Sequence, residues 1–309
     1  MYHVIVNPAS RSGRGLKIWK TQIEPALAKE QVAFQSYLSE KAGDVMKIAE
    51  TISSSAGDTA FLKIIVLGGD GTVNEVLQGI SNPSRLILGY IPTGSSNDLA
   101  RDLNIPKNPL DALDLILHTE KHTPMDLGCV TYSDGTKRHF LVSGGFGYDA
   151  AICEETNRSS LKNLLNRLGL GKLTYVGIAL KQLFAIGKTS CSLTLDHNTS
   201  VHIDRMLFTC CMIHRYEGGG FMFAPDADAH DGILNLCTVG DIPKLLILMA
   251  LPTALYGKHY LFRGITPYQA KNISLESDRD LWVHTDGEVT RKERRITVSC
   301  EKDAFYMLL

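Results

Sequence analysis

Three apolar runs in the first third of the chain each stop at a turn rich in glycine and small hydroxyl residues, and a helical pattern follows. "YHVIVN" runs into "NPASRSGRG" (7–15), "LKIIVLGG" into "GGDGTVNE" (68–75), and "LILGYIPTG" into "PTGSSNDLAR" (92–101). A fourth run, "VAFQSYLS", is a further strand, followed by a helix, "GDVMKIAETISS", that opens at Asp44. Strand, turn and helix in alternation predict a mostly parallel sheet covered by helices, because parallel neighbours must be joined by a crossover. Any ligand is then expected beyond the C-terminal strand ends. The helix "GLKIWKTQIEPALAKE" is expected to bury Leu16, Trp19, Ile23 and Leu27 on one face.

From about Met125 the pattern changes to short β-rich runs, such as "KRHFLVSGGFG", "CSLTLD", "ILNLCTVG" and "LWVHTDGE", separated by turn residues. They predict a β-sandwich-like second domain. With 309 residues the chain suits two domains of ~100–200 residues each. The expected division is an α/β domain over 1–125 and a β-rich domain over 126–290, with the tail 291–309 returning to the first. That tail alternates like an exposed edge strand, which leaves a homodimer open. Helical stretches interrupt the second domain at 158–187 and 241–262; "MALPTALYGKHYLF" in the latter reads as a core helix, or as a lining for an apolar tunnel.

A net charge of −1 argues against a nucleic-acid footprint, which needs a clear basic excess. Seven cysteines without a CxxC pair read as buried free thiols. The N-terminus lacks a secretory pattern, and "LLILMALPTALY" is shorter than the ~20 residues of a membrane span and contains Pro252. A cytoplasmic protein with at most transient, peripheral membrane contact is expected.

A strand–turn–helix junction aims several free backbone N–H groups at one spot, which favours phosphate. Gly68, Gly69 and Gly71 permit close backbone approach; Thr72 and Ser95 or Ser96 are placed to cap the helices that follow. None of the turns is a GxxxxGK[ST] P-loop or a dinucleotide fingerprint. Taken singly each could be a plain tight turn; three at successive strand ends fit phosphate better. Asp70 among them repels phosphate unless a cation intervenes, so it implies Mg²⁺ or proton transfer, or else a capping role. "HTEKH" (118–122) lacks a zinc-protease pattern and reads as a solvated helix end, and the leucines at 161, 164, 165 and 168 with their flanking Arg158, Lys162, Arg167 and Lys172 read as an amphipathic helix or a lipid-facing lid.

"GGDGTVNEV" followed by "PTGSSNDLAR", with "NPASRSGRG" before them, resembles the diacylglycerol kinase catalytic-domain family, which is related to sphingosine kinases and more distantly to NAD kinases. The resemblance extends to "GGFGYDA", "PDADAHDGILNL", "LYGKH" and "HTDGE". It implies a Rossmann-like nucleotide domain and a β-sandwich-like lipid domain with the active site in a cleft between them. It implies ATP contacts at Gly69, Asp70, Gly71 and Thr72, at Asn7, Ser10, Arg11 and Ser12, and at Ser39, Thr93, Gly94, Ser95 and Asn97. Asp98 would help hold Mg²⁺ through water, with Glu75 and Arg101 supporting the loops. Asp286 matches the general base and Glu288 a group that orients it or approaches the metal; Asp-Gly is also a strong hairpin signal. Asp231 and the Leu234 carbonyl match a second, structural Mg²⁺ site, where His230 departs from the acidic or amide residue of many relatives.

The implied function is ATP- and Mg²⁺-dependent transfer of phosphate to a lipid hydroxyl at a membrane surface, diacylglycerol to phosphatidic acid first among the acceptors. Substitution of Asp286 or Asp70 by Ala is expected to be severe for activity and mild for structure. The rivals are an NAD kinase, which shares GGDGT but pairs it with a different second turn, and a non-catalytic nucleotide- or lipid-binding regulator, against which the retained Asp70, Asp98, Asp231 and Asp286 argue.

Overall fold

The computed structural model describes residues 1–57, 60–158 and 171–309. The chain opens with β1 (Tyr2–Val6) and α1 (Ser10–Ile18), which passes through a π turn at Trp19–Ile23 into α2 (Glu24–Lys29). There follow β2 (Phe34–Leu38), α3 (Asp44–Ser55), β3 (Leu62–Gly68), α4 (Asp70–Gly79), β4 (Leu86–Pro92), α5 (Asp98–Asp102) and α6 (Pro109–His118). Next come β5 (His122–Tyr132), β6 (Lys137–Phe140), β7 (Ser143–Gly147), α7 (Tyr148–Arg158) and α8 (Gly171–Ala185). After β8 (Thr189–Leu195), β9 (Thr199–Met206), β10 (Phe208–Met212) and β11 (Leu234–Val239) come α9 (Lys244–Ala254), β12 (Ile265–Ala270), β13 (Asn272–Thr285) and β14 (Glu288–Leu308).

The chain divides into two compact units: Met1–Leu127 with Gly218–Gly220 and Lys302–Leu309, and Gly128–Glu217 with Phe221–Glu301. In the first, β2, β1, β3 and β4 lie side by side in that order, all parallel. The last turn of β14 extends the sheet, parallel to β4 through Tyr306 and Met307. β4 is wholly buried and β3 nearly so, which is why both are written as unbroken apolar runs. Trp19, Ile23 and Leu27 are buried as expected, whereas Leu16 is exposed. The π turn between Leu16 and the others changes the helical phase, so the four do not share one face.

The second unit is antiparallel: β12, β11, β10, β7, β13 and the first part of β14 are neighbours in that order. β8 pairs with β13 and carries β9, and β5 pairs with β6. Two sequence expectations are corrected here. The C-terminal segment is not an edge, because β14 pairs with β13 from Glu288 to Ser299 and also with β5 and β4; residues 291–301 accordingly belong to the second unit. Nor is α9 a core helix: Ala250 and Ala254 are buried, but Leu245 and Met249 are largely exposed. The leucines at 161, 164, 165 and 168, with Lys162 and Arg167, lie outside the described residues, as do the side chains of Arg158 and Lys172. Among the described residues no helix is long and apolar enough to cross a membrane, and all seven cysteines are free thiols.

Candidate active site

The three turns of the first unit are wired to one another. Asn7, at the end of β1, donates from Nδ2 to Thr72 Oγ1 (3.1 Å) while its Oδ1 accepts from the Ala9 N–H. The Ser10 and Thr93 hydroxyls, both buried, lie 2.8 Å apart. Thr93 N–H donates to Gly68 O at 2.7 Å. The glycines are a steric requirement at one crossing: a Cβ on Gly94 would sit 2.6 Å from Gly69 Cα, and one on Gly69 would sit 3.1 Å from Gly94 Cα. The second and third turns therefore meet backbone to backbone, leaving their amides uncovered by side chains.

Asp70 begins α4 and ties this turn to the next. Its Oδ2 accepts from the Asp98 N–H at 2.8 Å, and its Oδ1 accepts from the Tyr90 hydroxyl at 3.2 Å. Tyr90 O–H also faces Asn97 Oδ1 at 3.2 Å, and Asn97 Nδ2 donates to Gly94 O. Burial first, then the carboxylates of Asp70 and Asp98, push the Tyr90 phenol well above its ordinary range. It is thus a fixed donor. Sequence reading missed it, although a single hydroxyl-bearing ring near the end of a wholly apolar strand is the kind of signal that could have found it.

Asp98 is nearly fully buried and its pKa is raised, chiefly by burial; the Gly219 N–H (2.7 Å to Oδ2) and Arg101 pull the other way. Its Oδ1 has no hydrogen-bond partner, and Arg101 Nε stands 3.9 Å away. An orphaned carboxylate oxygen beside a second carboxylate fits a hydrated divalent cation. Asn97 rather than Ser95 or Ser96 is the residue before α5, in the left-handed conformation (φ 50°) and without a side-chain cap.

The other nucleotide candidates are less uniform. α1 already begins at Ser10, so the first turn is shorter than the sequence suggested; Arg11 (φ 50°) and Gly13 (φ 91°) distort its start. Arg11 is exposed and Ser12 lies in α1. Ser39 follows β2 and donates its N–H to Val6 O. Thr72 caps in reverse, its Oγ1 facing the Gly69 N–H at 3.4 Å from inside α4. Gly71 has nothing within 4 Å of a notional Cβ, and Ser95 is exposed. Glu75 accepts from the Gly43 N–H, which makes it a brace for the start of α3. In "HTEKH", His118 lies beside Asp114 on α6 and His122 packs against Tyr306.

In the second unit Asp286 is held by its surroundings. It occupies the left-handed region (φ 50°) with Gly287 (φ 82°), as a tight hairpin between β13 and β14 requires. Its Oδ1 accepts from Val142 and Ser143 N–H and its Oδ2 from Leu141 N–H, at 2.8–2.9 Å. The carboxylate thus organises the 141–143 turn as well as facing solvent. Removing it cannot be the structurally mild change that the sequence suggested. Glu288, exposed, opens β14 opposite Thr285.

Beneath this hairpin lies a charged cluster that sequence reading did not find. His284, fully buried, places Nε2 3.3 Å from Asp149 Oδ2 and 3.5 Å from Glu217 Oε1. Burial opposes its charge, but Asp149, Glu217 and Asp286 outweigh it and raise His284 to about 9. Glu217 is itself raised by burial and contacts Cys210 Sγ at 3.0 Å. Asp149, Cys210 and His284 bring ligand atoms within 4.8 Å of one another; a protonated imidazole makes this an ion-paired network rather than a metal site. Asp149 and His284 stood inside the quoted motifs, but only the fold aligns β7, β10 and β13 to join them with Glu217.

Asp231 shapes a turn, its Oδ1 accepting from the Ile233 N–H, and His230 N–H donates to Asp228 Oδ1. Leu234 begins β11 opposite Ala270. The carboxylates of Asp228 and Asp231 are the donors this loop offers a cation. A cavity of ≈ 260 Å³ in the same unit is lined by residues including Pro225, Leu236, Tyr260, Pro267 and Tyr268.

This combination, a parallel sheet with bare-backbone turns joined to an antiparallel domain, is matched by two family models. The diacylglycerol kinase catalytic domain covers residues 1–130, and the YegS C-terminal NAD kinase beta sandwich-like domain covers 142–304. The chain belongs to the diacylglycerol kinase family of lipid kinases and is a kinase. It is 29% identical over 314 residues to a diacylglycerol kinase of Staphylococcus aureus (strain JH9), spanning 97% of this chain and 92% of that one. A crystal structure of a diacylglycerol kinase from Bacillus anthracis str. Sterne shares the fold at TM-score 0.71 and 22% identity, covering 99% of this chain and 96% of that one. An NAD kinase from Archaeoglobus fulgidus, solved in complex with ATP, is more distant, at TM-score 0.54 and 14% identity, covering 100% and 94%. These findings bear out the expected two-part α/β and β-sandwich-like fold.

Proposed function

We propose that the protein transfers the γ-phosphate of ATP, with Mg²⁺, to a lipid hydroxyl, and that diacylglycerol is the acceptor and phosphatidic acid the product. The observation that carries the nucleotide half is the meeting of Gly69 and Gly94 backbone to backbone, with Asn7, Ser10, Thr72 and Thr93 fastening the turns around it. That geometry leaves N–H groups free of side-chain cover, which suits phosphate oxygens. Family membership supports the lipid acceptor.

In this reading Gly69, Gly71, Thr72, Gly94, Ser95 and Asn97 receive the phosphates, and Asn7, Ser10, Arg11, Ser12 and Ser39 border the rest of the nucleotide. Asp98 Oδ1 and Asp70 would hold the metal, which when bound neutralises charge on the phosphoryl oxygens. Asp70 also anchors the start of α5, so the third turn keeps its place as phosphate arrives. Asp286 accepts the proton of the attacking hydroxyl; the N–H groups of 141–143 fix the direction of its carboxylate, and Glu288 lies beside it. The charged His284 sets the field beneath. Asp231 and the Leu234 carbonyl are assigned to a separate, structural metal.

The test is transfer of labelled phosphate from ATP with Mg²⁺ to a mixed lipid extract, then to a panel of single lipids, with NAD as a separate acceptor. Label in phosphatidic acid supports the proposal. Label in another lipid moves the acceptor, and label in NAD alone overturns the lipid reading.

A further inference from the structure

The most exposed apolar surface of the second unit lies on α9 and the segment that follows. Leu245 is 70% exposed, Met249 58%, Tyr256 75% and Leu261 82%. Leu245, Met249, Pro252 and Tyr256 recur at helical spacing, so they form one outward face, while Ala250 and Ala254 turn inward. At its start Lys244 donates to Phe184 O and Ile186 O and stands over the Phe184 ring, and Phe184 is itself 65% exposed. The apolar face therefore continues onto the end of α8.

Charge complementarity indicates what covers it. From Ile242 to Leu275 the chain carries no Asp or Glu, yet it contains Lys244, Lys258, Arg263 and Lys271, in a protein whose net charge is −1. Lys258 and Arg263 are exposed beside Tyr256 and Leu261. A protein partner or a second copy would be met equally well by mixed charges. Leucine and methionine flanked by an interfacial tyrosine and a one-signed rim suit the headgroup boundary of an anionic bilayer.

We infer that the α9 surface docks this enzyme on an anionic lipid bilayer, with Leu245, Met249, Tyr256 and Leu261 seated at the acyl boundary and Lys258 and Arg263 on the headgroups. The inference deepens the lipid-kinase reading and rests on it for the reason the protein visits a membrane.

The test is co-sedimentation of the full-length protein with vesicles of phosphatidylcholine alone or with about 30 mol % phosphatidylglycerol, a surface that attracts basic segments. Wild type should partition onto the anionic vesicles, and Leu245→Glu/Met249→Glu should lower that partition about tenfold or more. Lys258→Glu/Arg263→Glu should abolish the preference for anionic vesicles. An unchanged melting temperature shows that the variants fold, and phosphorylation of a soluble short-chain diacylglycerol should be unaffected by either pair. The inference is overturned if wild type binds neither vesicle, if the α9 variants bind as wild type does, or if they dissolve a dimer while leaving vesicle binding intact. Variant-sensitive vesicle binding without phosphoryl transfer to any lipid would sink the kinase proposal and leave the docking surface standing.

Discussion

Asp286 has two jobs that a pair of substitutions separates. Asp286→Ala removes the acceptor of the Leu141, Val142 and Ser143 N–H groups. Each buried donor left unpaired costs about 1–3 kcal/mol, and water reaching the half-buried site recovers part of this, for a loss of about 2–4 kcal/mol. A non-glycine, non-Asx residue at φ 50° adds ~1 kcal/mol of strain. The second unit's melting temperature should then fall by roughly 5–15 °C. Asp286→Asn keeps one acceptor oxygen for Val142 and Ser143 and tolerates the left-handed backbone, but sets an NH₂ against Leu141. It should lose about half as much stability, on the same scale of ~1–3 kcal/mol per unpaired group. If Asp286 is also the base, both variants lose ~10²–10⁴ in kcat on solubilised diacylglycerol. Calorimetry and initial rates on the same samples decide it. An Asn variant with lowered stability and unchanged kcat would refute the catalytic role, and an Ala variant that melts like wild type would refute the structural one.

Gly94→Ala should abolish ATP binding and destabilise the first unit, because the new methyl meets Gly69 Cα at 2.6 Å. Gly71→Ala, open within 4 Å and inside α4, should raise stability by ~0.5–1 kcal/mol while raising the KM for ATP if phosphate lies against that backbone; a lower KM would count against the assignment. Asp98→Asn relieves a buried carboxylate whose pKa is already raised, so thermal melts should rise as Mg²⁺-dependent turnover falls; a variant with full turnover would remove Asp98 from the metal's ligands. His284 carries a folded pKa raised to about 9 from 6.5. A raised pKa means that its stabilising charge is fully present below about 6.5 and is lost as pH climbs through about 9. Urea midpoints should therefore fall toward alkaline pH in wild type and less so in His284→Gln, and parallel curves would exclude the ion pair.

The parallel sheet and the positions of its turns were legible because both are local signals. Buried strands such as Ile64–Leu67 and Ile87–Ile91 are continuous apolar runs, and a glycine turn ends each. What joins the turns was not legible. Tyr90 reaches Asp70 and Asn97 across the strand end, and no spacing rule encodes a contact between side chains on different turns. The same holds for Asp149, Glu217 and His284, whose meeting depends on the register of β7, β10 and β13.

The misreading of α9 has a different cause. Periodicity cannot distinguish a helix buried on all sides from one that offers an apolar face to lipid, since both are written as dense runs of leucine, isoleucine and methionine. Charge separates them. A core helix is usually bordered by loops carrying both signs, because its ends return to water, whereas the stretch from Ile242 to Leu275 carries cations and no carboxylate. With Leu245 and Met249 more than half exposed, that one-signed border is what turns an apparent core helix into a surface with an electrostatic preference. The feature was present in the sequence throughout, but it acquires meaning only once the fold shows which apolar side chains it surrounds.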